Sequence, residues 1–554
     1  MTGAPDPDID APVDIPTELA ALDRARDATK VKLAKLSTID NEAADEYSAA
    51  FMDHMVGVTI DKLRQELVVF GRIDDELPWR VGLYGIDSGG EQLVIDWRAP
   101  FAEGFYQATL DDPRGLRRRV SYVGSITDLL VEDFVDGGVS GASPLMAELS
   151  RSRGTEMRAA VATLQSEQDR LVRLDPAAQL VLRGGPGTGK TVVALHRAAW
   201  LVYNDRRITS DRFLVIGPSD RFLRFVSAVL PTLGESRITQ TTFDRHLGSS
   251  HPAGSDQRWL DVLDRLEASL PQPTTVRSSG RWIPEDEIAA LCERVLALSV
   301  PWRERRKIFL GRVASQLEIN AKEATRVGGA VLPAVSTTAA WKRITSKASL
   351  EALGAPDDLI DAWLGPRGRD KPADGALLDE VKARFEGVTT RYAHVVVDEA
   401  QDLTLFQLRA VMRRSDGLTL VGDDAQRSVA AGLGLRKVAE MLGTPLEQMD
   451  IAYRMSAEIA DWLNAHAERN GIDSVRLVGI RPNGIAVVDA PGTDAETHRA
   501  RLAERWENVA LIERSDVWSH KGVEYDGVVV DTAGLSAHEV YLAASRAAHE
   551  LVIV

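Results

Sequence analysis

Cysteine is nearly absent from the 554 residues, and Cys292 stands alone. A single thiol excludes an internal disulfide framework and suits a reducing cytoplasm, where we expect the protein to act. Cys292 itself reads as a small apolar side chain in a helix, not as a nucleophile. Long apolar runs are missing too. None approaches the ~20 residues that cross a bilayer, and no charged, apolar and small-residue signal precedes the first helical stretch, so no membrane role is expected. The third shortage is of positive charge: 66 Lys and Arg face 82 Asp and Glu, a net charge of -16. Proteins that live on phosphate backbones draw affinity from counterion release by Lys and Arg, so the balance tilts against a strong direct grip on nucleic acid.

What is present divides the chain by texture. A hydrophobic content of 44% is enough for several cores, and three or four domains are expected. Residues 1–16 are Pro- and Asp-rich and read as disordered. From Thr17 to Phe70 the pattern is helical, with Met52, Val56, Ile60, Leu63 and Leu67 on one face. That suits a coiled-coil arm, or equally an amphipathic helix packed on a neighbour. Residues 71–150 form a small β-rich segment, with "WRVGLYGI", "EQLVIDW" and "RRRVSYVG" as short strands. Alternating strands and helices then predict a parallel α/β sheet, in parts at 151–248 and 386–448. A helical insert occupies 249–385, and a further α/β unit spans 449–554.

The chemistry starts at "QLVLRGGPGTGKTVVALHRAAWL". A strand runs into a glycine-rich loop and then a helix. Gly185, Pro186, Gly187, Thr188 and Gly189 let backbone N–H groups close around phosphate oxygens, aided by the positive helix end. Lys190 would reach the β and γ phosphates, and Thr191 would ligate magnesium. Further on, "HVVVDEAQDL" delivers Asp398 and Glu399 at the tip of an apolar strand. Asp398 suits the magnesium shell and Glu399 the activation of water. "LTLVGDD" repeats the device, with Gln426 placed to sense the γ phosphate. The expected cofactors are ATP, or GTP in its place, and Mg2+.

The ordered set "EQDRLV", "GGPGTGKT", "DEAQD", "GDDAQ", "AYR", "KGVEYD" and "LAASRA" resembles the UvrD/Rep superfamily of helicases, from Gln168 to Arg546. The resemblance implies two RecA-like parallel-sheet motor domains. It implies that Gln168 reads the adenine edge, and that Arg197 and Tyr453 sandwich the ring. Arg454 and Arg546 would be arginine fingers, and Glu524 would contact the ribose. Singly, Tyr453 suits a core position and Arg546 a surface ion pair; in this order the site reading is preferred.

Departures matter as much. After Gln426, DNA-translocating relatives carry an aromatic and a Trp-Arg pair that stack on bases, whereas this chain has "RSVAAGLGL". Each base–aromatic stack is worth about 1–3 kcal/mol, so two losses weaken a strand grip by roughly 2–6 kcal/mol. "LVIGPSDRF" replaces a Thr-Asn-Lys-Ala type sequence, and roughly 65 residues between Arg454 and "KGVEYD" leave no room for a second large insert. With "VIDWRAPFAEGFYQAT" and the helical arm, these features resemble the HelD-type helicase-like proteins that bind RNA polymerase. That resemblance implies a polymerase-core partner in a 1:1 complex with a monomer, weak or indirect nucleic-acid contact, and an arm and an insert that enter the polymerase channels. Two other functions are weighed beside it. A UvrD/Rep-type DNA helicase of repair would separate strands. A non-catalytic, nucleotide-gated binding module would bind ATP without turnover, against which Glu399, Gln426, Arg454 and Arg546 argue. Finally, "NVALIERSDVWSHKGVEYDGVVV" puts an apolar strand close before the next motif and the sequence stops in the strand-like "LVIV", which raises the expectation that residues are missing near Arg514 and after Val554. A tryptic mass map would find the extra peptides.

Overall fold

Short runs that carry β-branched, aromatic and other apolar residues build a seven-stranded sheet in the β-rich segment. The computed structural model describes residues 13–36, 68–123, 126–141, 164–235, 237–365, 367 and 370–554. Strands β1 (Val69–Asp74), β2 (Pro78–Gly82), β3 (Ile86–Ser88), β4 (Glu91–Asp96), β5 (Arg118–Val123), β6 (Asp128–Asp133) and β7 (Gly138–Ser140) lie in the order β3-β4-β2-β1-β5-β6-β7. All neighbours are antiparallel except β2 and β4.

A helix, Ile15–Leu36, lies on this sheet with Leu22 and Ala25 buried against it. Its Glu18 is fully buried and accepts from Arg72 Nη1 at 2.9 Å, Arg80 Nε at 3.0 Å and the Tyr122 hydroxyl. The first part of the expected arm is therefore docked, not projecting, because a buried carboxylate is tolerable only where such donors meet it. The helix also takes in Ile15 and Pro16, which were expected to be disordered. Met52, Val56, Ile60, Leu63 and Leu67 lie outside the described residues.

The sequence "DWR" joins this module to the first α/β lobe. Arg98 is almost wholly buried, grips Asp96 through two nitrogens at 2.9 and 2.7 Å, and reaches Glu235 at 2.9 Å. Its guanidinium also sits 4.6 Å above the Tyr203 ring. Trp97, fully buried, packs edge-on against His196. Arg173 donates to the carbonyls of Trp97 and Ala99. Both charges on the lobe side are met, so the module and the lobe share one core.

The lobe itself is built on β8 (Leu180–Gly184), β9 (Phe213–Gly217), β10 (Thr239–Thr242), β13 (Tyr392–Val397), β14 (Ser415–Gly422) and β15 (Leu446–Met449). The order is β10-β9-β13-β14-β8-β15, with every pair parallel. Near-continuous apolar runs such as "HVVV" are what a parallel sheet covered on both faces demands. Between β10 and β13 comes the insert, which holds one small hairpin, β11 (Val276–Ser278) with β12 (Arg281–Ile283). It has its own helical core around the buried indoles of Trp259, Trp302 and Trp363. At its root, Asp379 and Glu380 take hydrogen bonds from Arg384, Arg409, Arg413 and Arg414, the last three on the lobe's helix Leu405–Arg414.

The second lobe pairs β16 (Ile451–Ala452) with β17 (Val478–Gly479). Its main sheet contains β18 (Val488–Asp489), β19 (Val509–Ile512), β20 (Tyr525–Val530) and β21 (Ala547–Ile553) in the order β18-β21-β20-β19, again parallel. Residues 513–524 carry the crossover from β19 to β20 with a short 3-10 turn, Val517–His520. The gap expected near Arg514 is not required: twelve residues meet the minimum for a parallel crossover. No helix among the described residues is long and apolar enough to cross a membrane.

Candidate nucleotide site between the lobes

The loop after β8 turns sharply into the helix Lys190–Asn204. Gly187 and Gly189 hold φ of 76° and 85°, a region open to glycine and costly for other residues. A Cβ on Gly189 would lie 2.7 Å from Gln168 Nε2, and one on Gly184 would lie 2.6 Å from Thr188 Oγ1. Gly189 caps the helix with no side-chain hydrogen bond, so the first N–H groups remain for an anion. Pro186 is buried at the turn, and the Thr188 hydroxyl donates to the Gly185 carbonyl at 2.8 Å.

Carboxylates converge on the loop from the ends of β13 and β14. The Thr191 hydroxyl donates to Asp398 Oδ2 at 2.7 Å. Burial pushes the Asp398 carboxyl up, with the Glu399 charge adding to it and Lys190 opposing, to about 6. Burial would raise Glu399 as well, but Lys521 and Lys190 outweigh it and hold that carboxyl low. Glu399 has φ of 56°, an uncommon backbone state for a residue with a side chain and one that concentrates at functional sites. Its Oε2 accepts from Gln401 Nε2 at 2.6 Å and faces Lys521 Nζ at 3.1 Å. Asp423 accepts from Gln426 Nε2 at 2.7 Å, and Gln426 Oε1 in turn accepts from Arg546 Nη2 of the second lobe at 2.7 Å.

Magnesium fits this donor set. Thr191 and Asp398 supply two hard oxygens side by side, and no cluster of three or more His, Cys, Asp or Glu suited to a metal occurs among the described residues. An ion completed by phosphate oxygens and water has that signature.

The second lobe closes over the loop. Arg454 forms an ion pair with Glu524, and both line a small cavity with Gly187, Met455 and Arg546. The Tyr453 N–H donates to the Gly187 carbonyl at 3.0 Å, which places the half-buried ring beside the loop. Burial, then Glu167 and Asp450, push its phenol up. Gln168 lies under the loop. Its amide donates to the Thr188 carbonyl at 3.0 Å and accepts from the Gln165 N–H at 3.1 Å, a reciprocal helix cap.

Arg197 is placed otherwise than the sandwich role requires. It is completely buried, and its guanidinium donates to the carbonyls of Val172, Leu174, Asp175 and Ala178 and to the Thr419 hydroxyl. Burial lowers it to about 10. Those acceptors hold it inside the first lobe, where it ties a loop to the sheet. Two residues of the site escaped the sequence reading, Lys521 and Asp402. Both stand in motifs already singled out, "KGVEYD" and "DEAQD", but their meeting across the lobes has no local signal.

Comparison with known proteins bears on this geometry. The family described as "DNA helicase IV HelD, N-terminal domain" matches residues 15–140, and an AAA domain matches residues 168–431. The chain joins a HelD-type N-terminal domain to a helicase-type AAA domain. The HelD match covers the β-sheet module with its docked helix, and the AAA match runs from Gln168 through the glycine-rich loop to the segment after Gln426. No curated protein matches the chain. Solved structures similar to it include an Arterivirus nonstructural protein 10 helicase with DNA, at 13% identity and a TM-score of 0.29, covering 71% of this chain and 64% of that one. A PRRSV helicase is similar at 12% identity and a TM-score of 0.29, covering 90% and 70%. This chain thus spans about two thirds of the length of those viral helicases, and likenesses so slight carry nothing about its ligands.

Proposed function

We propose that the chain is a Mg2+-dependent ATPase that binds the RNA polymerase core as a monomer and uses nucleotide-driven lobe motion to displace nucleic acid and recycle the enzyme. ATP or GTP is held by the loop 185–191, Asp398 shares the metal with Thr191, and Glu399 activates water. Gln426, Arg454 and Arg546 meet the γ phosphate and the charge that develops there. Tyr453 lies against the base, Gln168 reads its edge and Glu524 meets the ribose. The single cysteine, buried in the insert, suits a cytoplasmic setting.

One observation favours a motor with little strand grip. In the segment after Gln426, the N–H groups of Ser428 and Val429 both donate to Asp402 Oδ1, at 2.7 and 3.0 Å, and the Ser428 hydroxyl donates to its other oxygen. The segment is tied inward, and Val429 is its one exposed large apolar side chain. No ring is offered to a base, so the stacking energy of about 1–3 kcal/mol per base is absent there. The name of the matching N-terminal family favours the alternative, a strand-separating DNA helicase.

Two modest contacts on one rigid body gain avidity if both sites can be reached together. The proposed contacts are the insert, 249–385, and residues 37–67 of the arm, since the helix before them is docked on its own sheet. Replacing residues 37–67 by a short Gly/Ser linker leaves that helix and β1 in place. Binding to purified polymerase core, read by a sensor surface or pull-down, is expected to weaken about 100-fold or more while ATP binding persists. Unchanged polymerase binding by this variant would remove the arm from the mechanism.

A further inference from the structure

Lys521 is the least expected member of the site. It comes from the second lobe, in the turn before β20, yet its ammonium sits among first-lobe groups: 2.7 Å from Asp402 Oδ2, 3.1 Å from Glu399 Oε2 and 3.2 Å from Ser428 Oγ. Its side chain is 15% exposed, and those of Glu399 and Asp402 are 14% and 17%. A nearly buried ion triad is a poor way merely to glue two lobes. The cost of stripping water from three charges rivals the attraction gained, and an apolar contact of equal size holds as well.

What the triad does achieve is geometric. Both donors that reach Glu399, Gln401 Nε2 and Lys521 Nζ, are on Oε2. Oε1 has no donor among the described residues, so one oxygen is pinned and the other is left for a water molecule. A general base works only when its accepting oxygen is held within hydrogen-bond reach of the proton. Asp402 keeps the ammonium in place and is itself fixed from behind by the Ser428 and Val429 N–H groups. Because one partner belongs to each lobe, the clamp exists only while the lobes are closed.

We propose that Lys521 is a positioning residue for Glu399, delivered by the second lobe and seated by Asp402, so that lobe closure aims the base. This rests on the nucleotide-hydrolase reading of the same site. It makes hydrolysis wait for closure, and the neutral variant at Lys521 should bind nucleotide normally and turn it over slowly.

The test is steady-state ATP hydrolysis by the full chain, with ATP affinity measured separately by a fluorescent analogue. Lys521→Met is expected to lower kcat about 30-fold or more, with KM and analogue affinity changed by less than about threefold. Lys521→Arg should recover about tenfold of that loss, since it restores the charge. Asp402→Asn, which loosens the seat but keeps the cation, should lower kcat by about three- to tenfold. A bridge that only held the lobes together would shift melting and KM and leave the saturated rate alone. Hydrolysis by Lys521→Met within threefold of wild type, or a rise in KM at constant kcat, overturns the inference. So does an Arg variant as slow as Met. Should Lys521→Met fail to fold, a wild-type kcat in Asp402→Asn overturns it equally. Wild-type protein that hydrolyses no ATP overturns the reading of the site and this inference with it.

Discussion

Glu399→Gln is expected to reduce ATP turnover by about 100- to 10,000-fold while the nucleotide still binds. The amide keeps the size of the carboxylate and the unusual backbone at φ 56°, but it cannot accept a proton from water. Lys190→Ala should differ in kind. It removes the cation that lies among Asp398, Glu399 and Asp423 and whose charge draws their carboxyls down. The phosphates would then meet three carboxylates with one fewer opposing charge, so binding and hydrolysis are both expected to fall. Single-turnover hydrolysis and a nucleotide titration on each variant separate the two effects. A Glu399→Gln protein that turns ATP over at the wild-type rate would show that another group activates the water.

Glu380→Ala is expected to lower stability by about 1–3 kcal/mol, the cost of taking a shared acceptor from partly buried cations, of which Arg384 keeps Asp264 and Glu267 and Arg413 keeps Asp379. Its carboxylate is almost fully buried at the root of the insert, where Arg384 reaches it at 3.0 Å, Arg409 at 2.9 Å and Arg413 at 2.5 Å. Asp379 holds Arg413 and Arg414 beside it but does not reach Arg384 or Arg409. Burial alone would raise the Glu380 carboxyl; Arg409, Arg413 and Arg384 overcome this and bring it down to about 2 from 4.5. A depressed carboxylate stabilises the fold fully above its unfolded value and loses that contribution as pH falls through the folded one. The gap between wild type and Glu380→Ala, read from denaturant midpoints, should thus be complete at pH 6. It should narrow as pH falls from 4.5 toward 2. A constant gap across that range would mean that packing, not charge, accounts for the loss.

The parts of the site that were legible in the sequence are those whose chemistry is local. A glycine run between strand and helix, and paired acids at the tip of an apolar strand, announce themselves because backbone geometry alone puts them at the ligand edge. Gln426 and Arg546 were also legible, and the structure brings them within 2.7 Å across the lobes. Arg197 was not. Its place on a helix after the loop says nothing about which way the guanidinium turns, and five acceptors inside the lobe decide it. Lys521 and Asp402 meet across a separation of 119 residues, and no periodicity reports such a contact. Which of the two readings of the first helix holds, projecting arm or helix packed on a neighbour, was hidden for a related reason. Glu18 reads as part of a polar face until Arg72, Arg80 and Tyr122, all on the sheet, are seen to converge on it.

The central claim is that this chain keeps an ATP motor and has given up the base-stacking floor of a strand-separating helicase. Unwinding of a tailed DNA duplex, followed by fluorescence at physiological salt with ATP and Mg2+, tests it most directly. The predicted result is no strand separation, with DNA binding that is weak and fades as salt is raised, by a protein whose ATPase is active in the same tube. Robust ATP-dependent separation of the duplex would contradict the claim and return the chain to the DNA helicases.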